Sequence, residues 1–321
     1  MEVDDLSLTE ILNPNSSKNV YLTTKKDSEV KYATKVIDKT KYKDPLFEKY
    51  LKSEMTVLSN ISHPNLIKLI EIKESPEFCF IVTEYCNGGN LSTYFDNYKK
   101  ENNNQPFTEE IVQYIMKQII QGIKYLHENN IIHRKINMDN ILINYENEED
   151  LKNNNIMKST IKIIDFSYSR FLEKNELAYT TIGIPLNMSP ILLDKLINKS
   201  EKGYDEKEDI WELGTICYEI LVGNNPFNSD DVEDLFNKIN IGDYSVPNCL
   251  SKEAVAFLHL MIRYYPEDRA TEDELLESKF IKNNVSEFSK INLEEINIKE
   301  QDANIQINTR VNYSLWKILG I

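Results

Sequence analysis

Between residues 18 and 40 the chain reads "KNVYLTTKKDSEVKYATKVIDK", an alternation of apolar and polar positions rich in β-branched and aromatic side chains. A polar break near Lys26–Ser28 divides it, and the pattern predicts a hairpin of two half-buried strands. Residues 46–60 change period: Leu46, Phe47, Tyr50, Leu51, Met55 and Leu58 recur at helical spacing. Two further strands are predicted in "LIKLIEIKES" and "FCFIVTEYC", around a turn at Ser75–Pro76. Residues 1–86 thus predict a small, mainly antiparallel sheet carrying one helix. After "CNGGNL" the pattern turns helical. Residues 108–128 align Ile111, Ile115, Ile119, Ile123 and Leu126 on one stripe, behind Thr108 as N-cap and two glutamates in the first turn. Residues 208–222, "EDIWELGTICYEILV", are apolar nearly all round, which predicts a helix inside a core. Residues 251–263 and 271–279 predict two more amphipathic helices. The asparagine- and acid-rich stretches "KKENNNQ" (99–105) and "NYENEEDLKNNN" (144–155) predict exposed loops.

With 321 residues, 41% of them hydrophobic, the chain has ample apolar material for a buried core. Its formal net charge of −15 repels a phosphate backbone, so nucleic acid is not an expected partner. Cys79, Cys86, Cys217 and Cys249 show neither CxxC spacing nor a neighbouring histidine set, and are expected to be reduced thiols. The acidic start "MEVDDLSLTE" is unlike a signal peptide, and no apolar run is long enough to span a bilayer. Together these features predict a soluble, cytoplasmic protein.

A series of short motifs runs through this frame in a fixed order: "ATKVI" with Lys35, Glu54 in the helix after it, "VTEYCNGGNL", "HRKINMDNIL", "IIDFS", "GIPLNMSP", "DIWELG", and Arg269 in "PEDRA". Over roughly residues 6–282 this order resembles the eukaryotic protein kinase superfamily. "EYCNGGNL" and the long insertion before "IKIIDF" are most similar to the autophagy-initiating ULK-type kinases. The resemblance implies an α+β, bilobal fold. Residues 1–86 would form a small antiparallel β lobe with one helix, and 87–282 a larger, mainly helical lobe. Residues 283–321 would be a C-terminal tail.

The resemblance also implies roles, since a kinase works chiefly by positioning and electrostatics. Lys35 would contact the α- and β-phosphates of ATP with Glu54 holding it there. Asp165 and Asn140 would ligate the metals. Thr83 would be the gatekeeper, Glu84 and Cys86 would offer hinge backbone groups to adenine, and Val20, Ala33 and Leu142 would sandwich the ring. Simpler readings stand beside these: Lys35–Glu54 as a structural ion pair, the apolar positions as ordinary core, His133 as a core residue, and Asp209 as an anchor for the catalytic-loop backbone.

Against the family pattern, Lys135 stands where the catalytic base belongs. An ammonium has three donors and no acceptor, so it takes no proton from a substrate hydroxyl, and losing a positioned base costs on the order of 10²–10⁴ in rate. Asn137 replaces the catalytic-loop lysine. Asn13, Asn15 and Lys18 fall at the three places of the glycine-rich loop, so phosphate clamping is expected to be poor. Ser167 replaces the glycine of DFG, and Ile184 the hydroxyl residue that bonds base and lysine. Ile191 replaces the glutamate that pairs with Arg269. A buried arginine needs compensation, so Arg269 is expected to find another acid, such as Asp194.

These correlated losses imply a pseudokinase with no intact catalytic set, acting as scaffold or allosteric partner of proteins such as an active kinase or an autophagy component. ATP binding is expected to be weak or absent, and the added cation counts against magnesium. Lys135 either pairs with Asp165 in the metal's stead or reaches the γ-phosphate and holds ATP unreactive. The alternatives are a weakly active Ser/Thr kinase, with Asp139 the nearest carboxylate in sequence, and an ATP-sensing conformational switch. Thr180 and Thr181 are candidate phosphorylation sites opposite Arg134. In the tail, "VNYSLWKILGI" predicts an amphipathic docking helix, and Trp316-x-x-Leu319 fits a short aromatic-x-x-aliphatic motif read by autophagy adaptors.

Overall fold

The computed structural model describes residues 2–3, 6–12, 19–26, 28–41, 45–173, 176–181, 183, 185–229, 231–242, 244–282 and 305–306. The glycine-loop positions Asn13, Asn15 and Lys18, Ile184, and the proposed tail helix lie outside the described residues.

The first half is an antiparallel sheet built from β1 (Glu2–Val3), β2 (Leu6–Ile11), β3 (Val20–Lys25), β4 (Lys31–Asp38), β5 (Leu69–Glu74) and β6 (Phe78–Glu84), in the order β1-β2-β3-β4-β6-β5. The β3–β4 hairpin turns where the polar break predicted it, and Ser75 closes the β5–β6 turn by donating its amide to the Phe78 carbonyl at 2.8 Å. β2 was not predicted, although Leu6 and Leu8 alternate and are buried. Helix α1 (Pro45–Asn60) lies against this sheet and reaches the turn at Phe166–Tyr168.

The second half is mainly helical: α2 (Leu91–Glu101), α3 (Glu109–Glu128), α4 (Glu148–Lys152), α5 (Pro190–Asn198), α6 (Lys207–Val222), α7 (Val232–Ile241), α8 (Lys252–Met261), α9 (Glu272–Glu277) and α10 (Lys279–Lys282). Short antiparallel ladders join β7 (Ile131–Ile132) to β10 (Arg170–Phe171) and β8 (Ile141–Tyr145) to β9 (Ser159–Ile163). Helix α6 is buried around its whole circumference, as its apolar composition predicts. Gly214 lets α8 approach it, because an added Cβ would stand 2.8 Å from Ile262 Cγ1.

The stretch 144–155 is not a plain loop. Its start completes β8, and Asn147 caps α4 by accepting the Asp150 amide at 2.9 Å. The asparagines read as loop formers act here as caps. Likewise residues 99–101 are the last turn of α2. No helix among the described residues is long and apolar enough to cross a membrane.

Candidate active site

Two non-glycine residues with left-handed backbone frame the site, Arg134 at φ 65° and Asp165 at φ 70°. Such geometry costs about 1–2 kcal/mol per residue, and the bonds around it supply the compensation. The amides of His133 and Arg134 donate to Asp209 of α6 at 2.8 and 2.7 Å. Arg134 Nε donates to the Tyr168 carbonyl at 2.6 Å, and Nη1 to Thr180 Oγ1 at 2.9 Å. The arginine that would receive a phosphate is thus already engaged with the unmodified segment.

Lys135 follows Arg134, and its Nζ lies 3.0 Å from Asp165 Oδ2. Asp165 Oδ1 accepts from Ser167 Oγ at 2.7 Å. The positive φ of this segment falls on Asp165, and Ser167 sits in a 3-10 turn that needs no glycine. Tyr168 flanks the ion pair, its ring centroid 4.9 Å from Lys135 Nζ and edge-on to Tyr50 of α1 at 5.6 Å. Asn137 caps the turn Met138–Asn140 through the Asn140 amide (3.1 Å), while Asn140 Nδ2 donates to the Lys135 carbonyl at 3.0 Å.

Across the cleft, Lys35 Nζ meets both oxygens of Glu54, at 2.8 and 2.7 Å. The β-register sets Val20 opposite Lys35 and Ala33 opposite Thr83. Leu142 is half-buried on β8. Val20, Ala33 and Leu142 are therefore partly open, as cleft walls must be. Glu84 closes β6, and its side chain accepts the Lys68 amide and pairs with Lys162, both at 2.8 Å. Cys86 is buried, which pushes its thiol up to about 12. Phe166 packs beneath, edge-on to His133 at 5.2 Å, and burial holds that imidazole below its usual range.

At the family's metal position, one oxygen of Asp165 faces the Lys135 ammonium and the other accepts from Ser167 Oγ.

A family profile described as the protein kinase domain matches residues 15–281. The chain belongs to the protein kinase family. Within the family it is similar to the serine/threonine-protein kinase PLK4 of Xenopus laevis, 28% identical over 279 residues, which is 87% of this chain and 27% of the relative. It is also similar to the serine/threonine-protein kinase atg1 of Dictyostelium discoideum, 29% identical over 255 residues, 78% of this chain and 35% of the relative. The chain spans about a quarter to a third of the length of these relatives.

One expectation for the kinase domain is overturned. Arg269 has no carboxylate within 4 Å among the described residues, and Asp194 instead accepts from Asn198 Nδ2 at 2.9 Å and lies 3.9 Å from Lys202. The guanidinium donates to the carbonyls of Arg263, Lys207 and Tyr264 and lies 5.1 Å from the Trp211 ring. A cage of carbonyls and an aromatic face therefore replace the ion pair. Burial still depresses the guanidinium to about 10, with buried Glu208 the largest opposing influence.

Sequence reading missed two acids beside Asp209 on α6, Glu208 and Glu212, both buried. The visible signal was the glutamate of "DIWELG", where the family motif has serine.

Asp209 Oδ2 also lies 2.8 Å from His127 Nε2, and His127 Nδ1 pairs with Glu272. Burial alone would depress this imidazole, but the bonds to the two carboxylates outweigh it and raise it to about 9. A raised folded value means that the contribution is full below the ordinary histidine range and is lost as pH rises through about 9. The shift corresponds to about 3 kcal/mol. Melting temperatures taken from pH 7 to 10 are expected to fall with a component that is absent from His127→Gln; parallel profiles would refute the assignment.

Proposed function

We propose that this kinase domain is a pseudokinase, an interaction module acting as scaffold or allosteric partner rather than as a phosphotransferase. The observation that carries the reading is Lys135 Nζ, 3.0 Å from Asp165 Oδ2. The ammonium offers no acceptor to a substrate hydroxyl, and its charge does at Asp165 what a metal does in an active kinase. Other carboxylates are poorly placed to replace the base. Glu212 is buried under the loop with Oε2 on the Ile136 amide, and Asp139 accepts from Asn90 Nδ2 at 3.4 Å.

The partner on this reading is a protein, such as an active kinase or, given the ULK-type resemblance and the atg1 relative, an autophagy component, met in the cytoplasm. The assembled Lys35–Glu54 pair favours a second reading, an ATP-sensing switch whose occupancy sets partner affinity. The two separate by whether ATP changes binding to that partner.

Thermal shift with ATP, with and without magnesium, tests the proposal. Occupancy at a hundredfold excess over Kd stabilises by about 2.7 kcal/mol, or roughly 5–10 °C in a domain of this size. The expected shift is smaller than this and indifferent to magnesium. A magnesium-dependent shift of that full size would overturn the proposal.

A further inference from the structure

We infer that Glu212 is a positioning residue: from α6 it takes the Ile136 amide and fixes the catalytic loop in the pose that sets Lys135 over Asp165. The inference rests on the reading of Lys135 as the resident cation of the site and adds a residue that keeps it there.

The loop amides make the case. Those of His133 and Arg134 donate to Asp209 at 2.8 and 2.7 Å, that of Lys135 to His133 Nδ1 at 3.3 Å, and that of Ile136 to Glu212 Oε2 at 2.7 Å. Four consecutive amides thus end on side chains, and two of those side chains stand one helical turn apart on a single face of α6. Without Glu212 the Ile136 amide is buried with no acceptor on that side, and the loop is released next to the residue that bears the ammonium. The other Glu212 oxygen lies 3.8 Å from where a Cβ on Gly183 would stand, so the side chain also backs the activation segment. A serine, as the family motif has at this place, is two carbons shorter and does not span to Ile136.

The environment predicts which substitution is tolerated. Burial is the main influence pushing the Glu212 carboxyl well up, followed by Asp209 and Glu208 on its own helix, while the bond from the Ile136 amide and then the charge of Lys135 oppose them. His127 of α3 is bonded to Asp209, and Arg269 is the largest cation acting on Glu208. A carboxyl held toward its neutral form is closely matched by an amide, so Glu212→Gln keeps the bond to Ile136, whereas Glu212→Ser removes it.

Hydrogen exchange on the full chain reads this directly. In Glu212→Ser the Ile136 amide is expected to exchange at least about tenfold faster, equivalent to about 1.4 kcal/mol of lost protection, and in Glu212→Gln to stay near wild type. Equal protection in all three proteins, or equal loss in both variants, overturns the inference. If Glu212→Ser does not fold, the pH profile of Glu212→Gln decides. A raised carboxyl destabilises the fold as pH climbs above its unfolded value, so wild type is expected to lose melting temperature relative to Glu212→Gln as pH rises above the ordinary carboxylate range. Parallel profiles overturn the inference. Neither measurement uses nucleotide, so failure here leaves the magnesium test standing, and failure there leaves this one.

Discussion

Purified chain given ATP, magnesium and a serine- or threonine-containing peptide is expected to transfer phosphate no faster than its Asp165→Ala variant. The missing base alone removes on the order of 10²–10⁴ in rate, against the 1–100 per second typical of protein kinases. The remaining arrangement deepens that loss. Asn137, at the place of the lysine that contacts the transferred phosphate, is spent as the cap of the Met138–Asn140 turn. Asp165, at the family's metal position, lies 3.0 Å from the Lys135 ammonium and accepts from Ser167 Oγ at 2.7 Å. A weakly active enzyme would need a carboxylate within reach of the substrate hydroxyl, and Glu212 is buried with one oxygen occupied. Turnover at ordinary kinase rates that disappears with Asp165→Ala would end the pseudokinase reading.

Much of the fold and of the site is legible in the sequence, because the kinase fold spends its characteristic residues in contiguous motifs. Lys35 and Glu54 sit on a strand and a helix whose periods are plain in the sequence, and the fold brings them into bidentate contact. Lys135 and Asp165 are 30 residues apart, yet each lies in its own recognisable run. What escaped was compensation by groups outside the motifs. Arg269 was expected to need an acid because ion pairing is the simplest way to bury a guanidinium. Three of its donors are met by carbonyls instead, and no sequence pattern marks which carbonyls converge. Glu212 stands in a helix whose burial the sequence does predict, but no pattern marks the Ile136 amide as the group it reaches. Asparagine misled at Asn147, where the same side chain that suits a loop also caps a helix.

Asp209→Ala is expected to be the most damaging single substitution for stability. It removes the acceptor of two buried amides, at about 1–3 kcal/mol for each group left unsatisfied, and one of the two carboxylates beside the buried His127. Breaking a buried charge pair by deleting one partner costs about 3–5 kcal/mol, so a drop of roughly 10 °C or more in melting temperature is expected. Asp194→Ala, at a half-buried carboxylate that accepts from Asn198 and lies 3.9 Å from exposed Lys202, should change it far less. The loss is more than local packing, because Asp209 is what holds Arg134 in its left-handed backbone, and the chain enters Lys135 directly from there. The variant also carries an internal check. With Asp209 gone, only Glu272 still favours the charged form of His127, so the alkaline loss of stability assigned to His127 should move to lower pH. An unchanged alkaline limb in Asp209→Ala would mean that the imidazolium is not held from α6, and that the network joining α3, α6, α9 and the catalytic loop is not the element that fixes Lys135 in place.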